Sequence, residues 1–148
     1  MEIIFCGYRD WSIKLFKKLT EKYNDIILLK SPNKLTLKYV KSINPKIIFF
    51  PDWSWIVDKN IINNYKCICI HESPLPKFRG GSPLQNQIIR GIKKTKSTAF
   101  IMNEGIDKGD IVAQRNLSLN GSIDEIFTRM IENDFKIIKK IISGNFKP

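Results

Sequence analysis

Four consecutive residues without a polar side chain, Ile47-Ile48-Phe49-Phe50, constrain this chain more than any other stretch. Successive side chains of a strand point to opposite faces, so a strand of this composition needs apolar cover on both. A half-solvated antiparallel sheet leaves one face in water; a parallel sheet flanked by helices does not. The run is also too short to cross a bilayer as a helix, which takes about 20 apolar residues. Ile3-Ile4-Phe5-Cys6 and Cys67-Ile68-Cys69-Ile70 repeat the pattern, separated by segments of helical period. The expected fold class is α/β, an open, mostly parallel twisted sheet of about six strands with helices on both faces.

In chain order, strands are expected at 2–6, 25–30, 46–50, 67–70, 97–102 and 111–119. Helices are expected at 11–23, 35–43, 53–62, 84–90 and from the 122–125 segment to about 142. Trp11, Leu15, Phe16 and Leu19 recur at helical spacing, with Asp10 or Ser12 as candidate caps. Ser82 can cap the fourth helix, with Pro83 in the favoured first position and Gly91 as its stop. Ser122-Ile123-Asp124-Glu125 has the spacing of a capping box, and Gly144 is placed to end that helix. Gly105 and Gly109 allow a tight connection that makes the last two strands antiparallel. With no repeat, linker or low-complexity tract, residues 1–148 read as one domain.

The cysteines give no disulfide framework. Cys6 and Cys67 fall in core strands, which fits buried thiols in a reducing, cytoplasmic setting. No charged n-region followed by an apolar h-region opens the chain, and no membrane association is expected. The formal charge of +11 attracts anions without selecting among them. Its lysines are scattered as pairs, such as Lys17-Lys18 and Lys139-Lys140, which reads as a solvated surface. A nucleic-acid-binding domain would rest on charge alone, so nucleic acid is not the expected partner.

Chemistry concentrates in His71-Glu72-Ser73-Pro74-Leu75-Pro76-Lys77-Phe78-Arg79-Gly80-Gly81-Ser82-Pro83. His71 is the only histidine, and it follows an apolar strand at the end where open α/β sheets bind ligands. Its side chain titrates near neutrality, which suits proton transfer. Downstream, Gly105-Ile106-Asp107-Lys108-Gly109-Asp110 can return a carboxylate to it, and the combination suggests general acid–base chemistry. Cys67, Cys69 and His71 share a strand face, but Cys67 and His71 are separated by roughly 13 Å. That separation excludes a shared zinc at ~2.0–2.3 Å ligand distances, and no metal is expected. Gly7-Tyr8-Arg9-Asp10 lacks the dinucleotide GxGxxG spacing and reads as the end of a different pocket. Ser73 has no nucleophile-elbow context. Trp53-Ser54-Trp55 admits two readings, core residues or walls for a flat ring.

His71-x-Ser73-x-Leu75-Pro76-x-x-Arg79-Gly80-x-x-Pro83, followed by Met102-x-x-Gly105-Ile106-Asp107-x-Gly109-Asp110-Ile111, resembles the N10-formyltetrahydrofolate-dependent formyltransferases. The likeness is to the methionyl-tRNA formyltransferase-like catalytic domain, nearest in kind to the sugar N-formyltransferases. It implies a Rossmann-like domain that moves a formyl group from N10-formyltetrahydrofolate to an amine, with no metal. Of the family's catalytic Asn, His and Asp, His71 and Asp107 match the last two; Cys69 stands at the Asn position. An oxyanion donor of the Asn kind contributes roughly 2.7–4 kcal/mol in other enzymes, and a thiol donates only weakly. The pterin-contacting segment maps to Phe50, Asp52, Trp53, Ser54 and Trp55. Arg79, Gly80, Gly81 and Ser82 would position substrate near a helix N-terminus.

The expected acceptor is a small-molecule amine, an amino-sugar nucleotide, and a homodimer fits the family. Relative to that family the N-terminal half reads as shortened by about one βα unit (roughly 30 residues), with no C-terminal tRNA-binding domain. The alternative is a catalytically weak or inactive ligand-binding module on the same fold, motivated by Cys69.

Overall fold

The computed structural model describes residues 2–74, 83–104 and 109–144. Six strands form one sheet: β1 (Ile3–Cys6), β2 (Ile26–Leu29), β3 (Ile47–Pro51), β4 (Cys67–Glu72), β5 (Lys94–Ile101) and β6 (Ile111–Ser118), in the order β2-β1-β3-β4-β5-β6. The first four are mutually parallel, with Ile3 opposite both Ile26 and Ile47 and Ile48 opposite Cys67. β5 runs antiparallel to β4 and β6 antiparallel to β5. The helices are α1 (Asp10–Thr20), α2 (Leu37–Ile43), α3 (Lys59–Asn64), α4 (Pro83–Ile89) and α5 (Ile123–Ile142).

The all-apolar strands do what their composition requires. Ile3, Phe5, Phe49, Ile68 and Ile70 pack on one face with Leu15 and Leu19 of α1 and Met130, Ile137 and Ile141 of α5. Their neighbours Ile4, Cys6, Ile48, Phe50 and Cys67 pack on the other with Val40 of α2 and Ile61 of α3. The period-two alternation of the strands therefore divides one sheet into two cores. Phe49 and Phe50 are both fully buried on opposite faces, and each contributes about 1.5–3 kcal/mol by leaving water.

Local signals set the helix ends unevenly. The capping box at α5 is complete: Glu125 N–H donates to Ser122 Oγ at 3.2 Å and Ser122 N–H to Glu125 Oε1 at 3.0 Å. Gly144 closes that helix at φ +80°, a conformation that costs other residues strain. Neither Asp10 nor Ser12 caps α1. Arg9 holds the cap position without a side-chain bond, Asp10 lies in the first turn, and Ser12 Oγ donates to the Arg9 carbonyl at 2.8 Å. Between β5 and β6, a Cβ on Gly109 would stand 1.5 Å from the Ile101 carbonyl oxygen. Only glycine lets the backbones approach so closely there.

Other expectations fail as well. The helix expected at 53–62 is confined to α3, because Asp58 accepts the Asn60 N–H at 2.8 Å and caps a helix that begins only at Lys59. Residues 53–57 form a loop instead. The strand expected at 67–70 extends through His71 and Glu72, which pair with Thr98 and Ser97 of β5. Ser82 lies outside the described residues.

Candidate active site

The strand order reverses at β1. The chain leaves β1 for α1 on one face and leaves β3 for α3 on the other. Such a switch point opens a crevice beyond the carboxyl ends of the two strands. Tyr8 and Arg9 enter it from β1, Asp52 to Trp55 from β3, and His71 stands at the end of the adjacent β4.

An ion pair and an aromatic wall join the two loops. Arg9 Nε lies 2.6 Å from Asp52 Oδ2, and the same guanidinium sits 5.1 Å from the Tyr8 ring centroid. Asp52 adopts φ 56°, which turns the chain sharply off β3, and its N–H reaches the Ile70 carbonyl. Burial lifts the Asp52 carboxyl above its ordinary value, against the opposing charges of Arg9 and then His71. Tyr8 and Ser54 are joined through their hydroxyl groups. The Trp53 and Trp55 rings meet edge-on at 4.8 Å, and Tyr8 lies 4.8 Å from Trp55. Phe50 supports Trp53 from below at 6.1 Å. Trp53 Nε1 is buried without a hydrogen-bond partner among the described residues, while Trp55 is exposed.

His71 is buried. Its strand end is held by side chains from two other elements. Gln87 Nε2 of α4 donates to the Glu72 carbonyl at 2.6 Å, and Thr98 Oγ1 of β5 donates to the Ser73 carbonyl at 2.6 Å. Gln114 Nε2 in turn donates to Thr98 Oγ1 at 3.0 Å. Cys69 shares the His71 face of β4 and is half-buried. Cys6 and Cys67 are fully enclosed; burial pushes the Cys67 thiol up to about 12 and raises Cys6 as well, so neither is a ready nucleophile.

On the opposite face, Glu72 and Asp134 are both buried beneath α5. Burial raises the Glu72 carboxyl well above its ordinary value, reinforced by the negative charges of Asp134 and Asp52. Asp134 is raised in the same way by burial and then by Asp52, with the Ser97 hydroxyl opposing.

A cleft of about 760 Å3 adjoins this arrangement. Tyr8, Arg9 and Lys14 line it from the α1 side, and Asp124, Phe127 and Thr128 from α5. Arg9 is thus shared between the cleft and the ion pair beside His71.

The structure brings Phe50, Asp52, Trp53, Ser54 and Trp55 to the switch point, beside the β4 end that carries Cys69 and His71. Asp107, Arg79, Gly80, Gly81 and Ser82 lie outside the described residues. Tyr8 and Arg9 join the site, and the turn after the first strand was the signal for them. Gln87 had none, since it acts on a backbone carbonyl remote in sequence. Asp134 had a clear one: a carboxylate inside the apolar α5 stripe of Met130, Ile137, Ile138 and Ile141.

Comparison with known proteins places this geometry in a family. The formyl transferase model matches residues 28–140. Methionyl-tRNA formyltransferase of Clostridium botulinum is 28% identical over an alignment covering 100% of this chain and 62% of that protein. The Sulfurimonas denitrificans enzyme is 33% identical, with 89% and 56% covered. The chain therefore spans about three-fifths of the length of these curated relatives. Among solved structures, methionyl-tRNA formyltransferase from Clostridium thermocellum superposes with a TM-score of 0.93 at 41% identity, covering 100% of this chain and 67% of that one. HypX from Aquifex aeolicus, solved in complex with tetrahydrofolic acid, superposes at 0.82 with 25% identity, over 100% and 28%. On sequence and architecture together, the chain belongs to the formyl transferase family.

Proposed function

We propose that this chain transfers a formyl group from N10-formyltetrahydrofolate to the amine of an acceptor, with His71 as general base. One arrangement carries the reading: a buried histidine at a strand end, beside a switch-point crevice walled by Tyr8, Trp53 and Trp55. The buried Trp53 N–H lacks an acceptor among the described residues, which suits a flat heterocycle bearing acceptor atoms, as a pterin does. Phe50, Asp52, Trp53, Ser54 and Trp55 would hold the folate, which supplies the formyl carbon when bound.

The chain's own residues then do proton work. A neutral His71 imidazole accepts a proton from the attacking nitrogen. Asp107, at the family's aspartate position, orients that ring. Cys69 stands where the family's amide donor is found. A backbone N–H fills the donor role if the weak thiol does not. The Gln87 and Thr98 bonds keep the strand end from shifting, and geometry of this kind governs how much positioning contributes.

The acceptor enters through the cleft between α1 and α5. Its mixed charges, Arg9 and Lys14 against Asp10 and Asp124, suit a compact molecule carrying both phosphate and hydroxyl or amine groups. An amino-sugar nucleotide has that chemistry. A second reading is the amine of methionyl-tRNA, favoured because relatives at 28–33% identity carry that activity in their names. The named sugar N-formyltransferases share only 18–20%. An assay of formyl-folate consumption with 4-amino-sugar nucleotides and with methionyl-tRNA separates the two. Transfer to the sugars alone supports the first reading, and transfer to the tRNA alone selects the second. No transfer to any amine overturns the enzyme assignment.

A further inference from the structure

Glu72 and Asp134 take no part in the chemistry just described, yet their placement is expensive. Both are buried, on a face otherwise built from Ile68, Ile70, Ala99, Met130 and Ile138. Three elements bring them together over one residue. Glu72 of β4 stands directly opposite Ser97 of β5 in the antiparallel register. Asp134 of α5 has the Ser97 hydroxyl acting on its carboxyl, and its neighbour Asn133 donates to Ser97 Oγ at 3.3 Å. Glu72 Oε1 is buried without a hydrogen-bond partner among the described residues, and the Ser97 hydroxyl is the only hydrogen-bonding group acting on Asp134 among them.

Ionised carboxylates only accept hydrogen bonds, so two of them buried in one apolar region cannot satisfy each other. A proton on one makes it able to donate to the other, and two carboxyls in one apolar site disfavour each other's ionisation. Among the described residues the charged groups acting on the pair are Asp52, at the end of β3, and Arg9, at the start of α1. Arg9 is already committed to Asp52, so among the described residues the pair has no dedicated counter-ion.

We propose that Glu72 and Asp134 share a proton as a buried carboxyl pair, and that this pair ties the His71 end of β4 to α5 and so positions the histidine. When the proton leaves to solvent at alkaline pH, two like charges repel across the β4–α5 contact and the histidine loses its support. The positioning role rests on His71 being the general base; the shared proton does not.

The test exploits His71 being the chain's only histidine, which makes its imidazole resonance unambiguous. The carbonyl stretch of protonated carboxyls and the His71 resonance are recorded on the full chain from acid to alkaline pH. They are compared with Glu72→Gln, Asp134→Asn and the double variant, which preserve shape while removing the shared proton. In the unmutated chain a protonated-carboxyl band persists at neutral pH. It disappears at alkaline pH, together with a second inflection in the His71 titration. The double variant loses both the band and that inflection. Absence of the band at neutral pH in the unmutated chain, or its survival in the double variant, overturns the pair. A band that behaves as expected beside a single His71 inflection overturns the positioning role. Both readouts stand without activity, so failure of formyl transfer is read separately.

Discussion

The two faces of the sheet start from the same apolar sequence logic and end differently. Toward α1 and α5 the strands are covered by helices of 11 and 20 residues with a cleft between them, and the polar side chains buried on that side include Glu72, Ser97 and Asp134. Toward α2 and α3 the cover is 7 and 6 residues long, and the β4 positions on that side are buried Cys67, half-buried Cys69 and buried His71 at the strand end. The long helices carry the cleft between them, while the short ones leave the crevice beyond β1 and β3 beside the His71 end of β4. Neighbouring residues of one strand, His71 and Glu72, therefore serve opposite purposes because strand side chains alternate.

The sharpest way to break this comparison is at His71. His71→Ala is expected to lower the formyl-transfer rate by about 10²–10⁴-fold, the usual contribution of a positioned general base. Unchanged kcat with folding intact would show that the β4 end is not where the chemistry occurs.

Next come the paired phenylalanines. Phe49→Ala and Phe50→Ala should each cost about 3–5 kcal/mol in denaturant unfolding, since both are fully buried. Only Phe50→Ala should also weaken binding of a folate analogue, because Phe50 alone supports Trp53. Equal binding in both variants would erase the functional difference between the faces.

Stability against pH tests the face toward α1 and α5. The Glu72 and Asp134 carboxyls stand well above their ordinary values of 4.5 and 3.8 because they are buried. Above those values the native chain holds more protons than the unfolded one, so unfolding free energy falls as pH rises. The raised Asp52 acts in the same sense. Chemical denaturation across pH should show this decline, and Glu72→Gln with Asp134→Asn should flatten it. A decline unchanged by the double variant would assign it elsewhere.

The smaller effects refine the picture. Trp55→Ala removes an exposed ring from the aromatic wall, and by about 0.5–1.5 kcal/mol per aromatic pair it should weaken a folate analogue roughly 2- to 10-fold by calorimetry. Ser122→Ala breaks the α5 capping box and should cost ~1 kcal/mol in thermal or urea unfolding while leaving analogue affinity unchanged.

How far the sequence could be read depends on the range of the interactions involved. The alternation of Ile3-Ile4-Phe5-Cys6 between two cores, and the complete Ser122–Glu125 box, follow from neighbours within a turn or two of chain. The tryptophans of 53–55 misled a helical reading because their partners, Tyr8 and Phe50, are not local to a helix. Once Asp58 caps α3, nothing holds 53–57 in helical form. The proposed site was read at His71 and at the post-β3 segment from motif and strand position, and the structure sets these two side by side. The Arg9–Asp52 bond was not, because it spans two loops that meet only after β1 and β3 pair.

By itself, then, the amino-acid sequence determined the α/β class, the parity of the apolar strands and the family motif around His71. Each is written in periodicity or in a short contiguous run. Tertiary structure decided that β4 continues through Glu72, because β5 supplies the pairing. It also decided that Glu72 and Asp134 are buried on the same face of the sheet, near Ser97. Those outcomes depend on contacts whose cost is the closure of long loops, and such closure is settled only when the whole sheet assembles.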